Sequence, residues 1–127
     1  MSFDVGPPAE QPVIRTVAMP ADTNPAGDIF GGWLMSQMDL AAGTLAALTS
    51  RGRSATVAVD AMKFHRPVRV GDEVSLHASV EAVGRTSMRI HVEAWRRERH
   101  ENACEQMTEA TFTFVALDAG GKPRLVG

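Results

Sequence analysis

Asp39 is the one charged residue between Ile29 and Ser50, a run with no Lys, Arg or Glu. It stands among Met35, Met38, Ala42 and Ala46. An ionised carboxylate buried among such side chains is costly unless it is paired or neutralised. Acids placed this way serve as general bases or nucleophiles where a cleft reaches them. The plain alternative is an aspartate on a narrow solvent-facing strip, or one bonded to nearby backbone. The residues alone leave both open.

Three further groups could do chemistry. Gly31 and Gly32 precede the apolar run. Glycines at a helix start permit close approach, and the first N–H groups there lack intrahelical acceptors, so they could hold an oxyanion. Simple turn geometry explains a glycine pair equally well. Asn24 and Asp28, just upstream, could orient a water or a carbonyl; such residues more often make turns and caps. Arg66, Arg69 and Arg85 sit near expected turns, where a guanidinium could clamp phosphate or simply form a solvated rim. No dinucleotide or phosphate-loop fingerprint accompanies them.

His65, His77, His91 and His100 show no HxxxH spacing, and Cys104 is the only cysteine. His77 and His91 fall on the polar faces of two strands, where solvated histidines are common. No metal site is expected.

The elements that must position these residues follow from periodicity. Residues 1–12 read as a flexible lead with Gly6, Pro7, Pro8 and Pro12. Val13–Met19 reads as a first strand, and PADTNPAGD (20–28) as a loop. Leu34, Met38, Ala41, Leu45 and Leu48 recur at helical spacing with Met35, Ala42 and Ala46 alongside. A helix from Ile29 to about Ser50 is expected, started by Asp28 or the glycine pair and closed by RGR at 51–53. A helix apolar on most sides is buried on most sides. Then the period becomes two, predicting strands over 54–64, 73–83, 87–95 and 108–117, arranged as meander-like hairpins. In the second of these Val74, Leu76, Ala78, Val80 and Ala82 share a face. A polar excursion, RRERHENACEQ, lies before the last strand. The result is an α+β fold, one apolar helix against an antiparallel sheet. The helix is too apolar for one thin sheet, so a second subunit is expected to help cover it.

Bulk properties narrow the class. A chain of 127 residues, 44% hydrophobic and 22% charged, suits one globular domain, here 13–127. A net charge of −2 argues against nucleic acid as a partner. The lone cysteine fits a reducing cytoplasm. The N-terminus lacks a signal peptide's apolar region, and no run reaches membrane-span length.

The run MPADTNPAGDIFGGWLMSQMD (19–39) resembles the signature of the YciA-type acyl-CoA thioesterases. The resemblance continues through TVAVDAMKFHRPVRVGDEV (56–74), VGRTSMRIHVEAW (83–95) and TFTFVALDAGGKPR (111–124). It implies a hot-dog fold, with one long helix wrapped by an antiparallel sheet, dimers formed by joined sheets, and a trimer of dimers. It implies hydrolysis of acyl-CoA to fatty acid and CoA, within fatty acid metabolism and with no cofactor beyond the substrate's own CoA. It makes Asp39 the reacting carboxylate, as base or as nucleophile, with Asn24 or Asp28 of the partner completing the site. Some relatives carry Asn at the position of Asp28; an aspartate there could set two carboxylates close together. Gly31 and Gly32 would bind the oxyanion, and Arg66 or Arg85 the CoA phosphates. Dehydratases of the same fold resemble FHRPVRVGD but use a histidine near the helix start, which residues 20–38 lack. A non-catalytic acyl-CoA-binding hot-dog module is the alternative of a different class.

Overall fold

A computed structural model describes residues 6–127, so part of the lead expected over 1–12 lies outside the described residues. Strand β1 (Ile14–Val17) is followed by a short 3-10 turn (Pro20–Asp22) and helix α1 (Gly31–Ser50). Strands β2 (Ser54–Phe64), β3 (Glu73–Val83), β4 (Ser87–Arg97) and β5 (Cys104–Ala116) complete the chain. All five strands form one antiparallel sheet in the order β1-β3-β4-β5-β2. One helix against one sheet is the expected α+β, hot-dog arrangement.

Two strand expectations change. β2 does not form a hairpin with β3; it pairs with β5 at the sheet edge. The intervening HRPVRVGD is too long for a tight hairpin, and Val68 anchors it by burial. The polar excursion is also shorter than expected. Arg96 and Arg97 stay in β4 because ion pairs hold their heads, and β5 begins at Cys104.

The sheet's inner face follows the alternation. Met88, Ile90, Val92 and Ala94 are fully buried, as are Val74 and Leu76. The expected face of β3 fails beyond Ala78: Val80 is already 39% exposed, and the register with β4 shifts between Val80 and Ala82. On the outer face His77 is not solvated as expected. It is buried, with Pro8, Glu10 and Gln11 around it, and burial pushes its imidazole below the usual value.

Helix α1 buries Leu34, Met38, Ala41, Ala42 and Ala46. Its core stripe follows the i+4 row, which winds about the axis and tracks the sheet's twist. Leu48, expected in the stripe, is therefore left 72% exposed, and Leu40 58%. Within one chain the helix is buried on one side only. Phe30 is the N-cap, without a side-chain bond. The C-terminus closes as expected on Arg51, whose left-handed backbone (φ 54°) donates its N–H to the Ala47 carbonyl. Arg124 then reaches across from the C-terminal tail, donating from Nη2 to the Ser50 carbonyl at 3.0 Å.

A buried ion pair ties the far end of the sheet. Arg96 Nη1 donates to Asp72 Oδ2 at 3.0 Å, with side chains only 11% and 6% exposed. Asp72 Oδ2 also accepts the Arg69 N–H, fixing the turn into β3. Arg96→Ala would strand that carboxylate, and a loss of about 3–5 kcal/mol in urea unfolding is expected. An Asp72→Asn/Arg96→Met double variant should recover most of it; equal instability of both variants would contradict this account.

Candidate active site

Asp39 sits on the open flank of α1, facing β2. It is half-buried, between the buried carboxylate and the solvent-facing aspartate that the apolar run leaves open. The Thr56 hydroxyl donates to Asp39 Oδ1 at 2.6 Å. Short charge-assisted bonds of this kind fix a carboxylate's orientation. Thr56 is placed by β2, whose register with β5 shifts just after it.

Asp39 and Thr56 stand where two recesses meet. One, of about 290 Å³, is lined by Gly32, Met35, Ser36, Val59 and Phe112 as well as the pair. The other, of about 580 Å³, runs along Leu40, Gly43, Thr44 and Ala47 to Gly52, Arg53 and Phe114. The pair thus forms the waist of one trough, apolar on one side and ending near a cation on the other.

The glycine pair begins the helix at the trough's apolar end. Trp33 and Leu34 both donate their N–H groups to the Phe30 carbonyl, at 3.1 and 3.3 Å. The N–H groups of Gly31 and Gly32 precede any intrahelical acceptor and lie at an exposed position. About 10 Å of helix separates Gly32 from Asp39. In one chain, therefore, these donors and that carboxylate cannot meet at a single carbonyl carbon.

Asn24 and Asp28 are not brought to Asp39 within the chain either. Asn24 Oδ1 accepts the N–H groups of Ala26 and Asp28, at 3.0 and 3.1 Å, and so shapes its own loop. Asp28 is exposed. Neither lines the two recesses that hold Asp39. Arg66 shares a third recess, of about 330 Å³, with Phe30, Gly31, Phe64 and His65, and pairs with Glu105 at 3.0 Å. Arg85 lies at the opposite end of the sheet, in the β3–β4 turn. Among the described residues no three His, Cys, Asp or Glu side chains are arranged to hold a metal, and no helix is long and apolar enough to cross a membrane.

Residues 26–103 match the family model described as the thioesterase superfamily. The chain belongs to the thioesterase superfamily. Its relatives include the acyl-CoA thioester hydrolase YciA of Escherichia coli K12, 50% identical over 115 residues, covering 88% of this chain and 87% of that protein. A hexameric thioesterase from Yersinia pestis is 48% identical with a TM-score of 0.89, covering 94% of this chain and 98% of that one. A hexameric broad-specificity acyl-coenzyme A thioesterase, solved as an aspartate-to-alanine mutant enzyme, is 44% identical with a TM-score of 0.88, covering 91% and 86%.

In this thioesterase-superfamily chain, the residue that the sequence reading missed is Thr56. A threonine in an alternating strand carries no signal of its own; only the pairing of β2 against α1 sets it on Asp39. Removing a hydrogen bond to a charged group weakens an arrangement by enough to cost about tenfold or more in rate. Thr56→Val should lower kcat on that scale with KM little changed, while Thr56→Ser should keep most of the activity. Wild-type kcat in Thr56→Val would deny the hydroxyl this role.

Proposed function

We propose that this chain is an acyl-CoA thioester hydrolase, releasing a fatty acid and CoA, with Asp39 as the reacting carboxylate. The observation that carries this reading is the Asp39–Thr56 pair, oriented by a 2.6 Å bond at the waist of a substrate-sized trough. The names of its relatives point to the same reaction. Asp39 activates a water toward the thioester carbonyl, or attacks that carbonyl itself to give a mixed anhydride that water then cleaves. The acyl chain lies against Met35, Val59 and Phe112, the apolar arm of the trough.

The site is shared between two copies. The 10 Å gap from Asp39 to its own helix start requires oxyanion donors from elsewhere. A second copy supplies them through its Gly31 and Gly32 N–H groups, with Asn24 or Asp28 of the same loop beside them. Strand β2 is an exposed sheet edge and Val57 on it is 59% exposed, which suits edge-to-edge pairing of two sheets. Leu40 and Leu48 are covered in the same step. Three such dimers would give the hexamer named for the Yersinia protein. The reaction takes place in the cytoplasm, within fatty acid metabolism.

The test is CoA release across a panel from acetyl- to palmitoyl-CoA, with the oligomer sized by light scattering. Tight acyl-CoA binding without turnover would replace this reading with the binding-module alternative.

A further inference from the structure

The N-terminal lead lies over the outer face of the sheet. Val13 fixes its downstream end, donating its N–H to the carbonyl of Leu76, the residue before His77, at 2.8 Å. Upstream of Val13 the attachment is weaker. Among the described residues no hydrogen bond or ion pair engages residues 6–12, which are held by packing alone. Segments held in this way open locally at little cost. Pro7, Pro8 and Pro12 restrict the backbone, so the segment keeps its course whether docked or lifted.

Beneath it lie His77 and Trp95, only 8% and 5% exposed. The cover fits loosely. Pro8, Glu10 and Pro12 share a recess of about 180 Å³ with Ser75, His77 and Trp95. A second, of about 330 Å³, continues past Gln11 and His77 to Ser79 and Glu93. Trp95 is anchored, its indole N–H donating to Glu93 Oε1 at 3.0 Å. His77 has no such anchor, since neither ring nitrogen finds a hydrogen-bond partner among the described residues.

A neutral imidazole tolerates that setting, and an imidazolium does so only at a desolvation cost. The charged groups around His77 are Glu10 on the lead, Arg15 on β1, Glu73 on its own strand, and Glu93, Arg96 and Arg97 on β4. Burial is the largest influence and lowers the imidazole pKa; Glu93 raises it, Arg15 lowers it and Glu10 raises it. The net direction is downward, so the covered state resists the proton. Covering is therefore strongest above about pH 6.5, where the uncovered ring is neutral too, and weakens as the pH falls below that value.

We infer that residues 6–12 are a pH-sensitive strap, closed over a neutral His77 and lifted when that ring takes a proton. Lifting hydrates the imidazolium, removes Glu10 and leaves Glu93 beside it. It also opens the outer face of β3 and β4 around Trp95. Asp39 faces the helix side of the sheet, so the strap is separate from the thioester chemistry and does not rest on that reading.

The reporter is Trp95, in a full-length Trp33→Phe chain that leaves it the only tryptophan. Acrylamide is uncharged, so its quenching reads exposure at any pH. The quenching constant should rise at least about twofold between about pH 8 and about pH 5.5, a window above the ordinary carboxylate range. The His77 ring should titrate by NMR with the same midpoint, below about 6.5. In a Trp33→Phe/His77→Gln chain the quenching should be the same at both pH values. No rise in the first chain, or an equal rise in the second, would overturn the strap. So would a rise accompanied by loss of helical circular dichroism, which reports global unfolding. If His77→Gln does not fold, the two midpoints decide, and a gap of more than about half a pH unit between them overturns the linkage.

Discussion

Asp39→Asn should lower kcat for acyl-CoA hydrolysis by about 10²–10⁴-fold, the usual contribution of a positioned acid or base. KM and the folding midpoint should stay near wild type. Asp39 lies on the open flank of α1, half-buried, outside the hydrophobic core. Among the described residues its one side-chain hydrogen-bond partner is Thr56. Asparagine keeps the size and an oxygen that can accept the Thr56 hydroxyl, but it cannot take a proton from water or act as a carboxylate nucleophile. The variant therefore separates geometry from chemistry, and Asp39→Ala removes both. Near wild-type turnover by either folded variant would sink the role given to Asp39. Base and nucleophile are told apart by one turnover of the wild-type enzyme in heavy-oxygen water. A base delivers the label to the fatty acid at once. A nucleophile whose anhydride is cleaved at the aspartyl carbonyl gives its own oxygen to the first product and leaves the label on Asp39, an outcome no general base can produce.

What could be read before the fold was known depended on periodicity. The bounds of β2 and β3 and the end of α1 were legible because alternation, a long apolar run and the RGR exit are local signals. The pairing of β2 with β5 was not, since strand order depends on contacts far apart in the chain. Asp39 stood out because it broke an uncharged run; Thr56 did not, because a strand threonine is unremarkable until a carboxylate faces it. The same limit held for the cations. Arg66 and Arg85 looked alike as residues near turns, and only the position of Glu105 on β5 marks Arg66 as the paired one among the described residues. The rest of the site was illegible for a deeper reason: the sequence of one chain marks Gly31, Asn24 and Asp28 as useful without saying whose Asp39 they serve.

That last question has a sharp test in the helix start. Gly31→Pro should cut kcat by about 10²–10³-fold, the cost of removing one oxyanion donor. The substitution is structurally mild. Gly31 is the first helical residue, where proline is favoured, and Phe30 before it has φ −58° and ψ 132°, the extended backbone that proline requires of its predecessor. A Cβ at Gly31 would meet the Phe64 ring at 3.5 Å, an ordinary contact. The missing N–H is therefore the main loss. Mixing then decides ownership. Asp39→Ala and Gly31→Pro chains, each nearly inactive alone, are unfolded together and refolded into mixed dimers. If each site takes Asp39 from one copy and the helix start from the other, every mixed dimer has one intact site and one doubly damaged site. Random pairing then restores about a quarter of wild-type activity, since half the dimers are mixed and each carries half its sites. If both groups belong to one chain, no mixed dimer contains an intact site and activity stays at the sum of the two variants. The 10 Å of helix between Gly32 and Asp39 favours the first outcome, because no rotamer of Asp39 spans that distance.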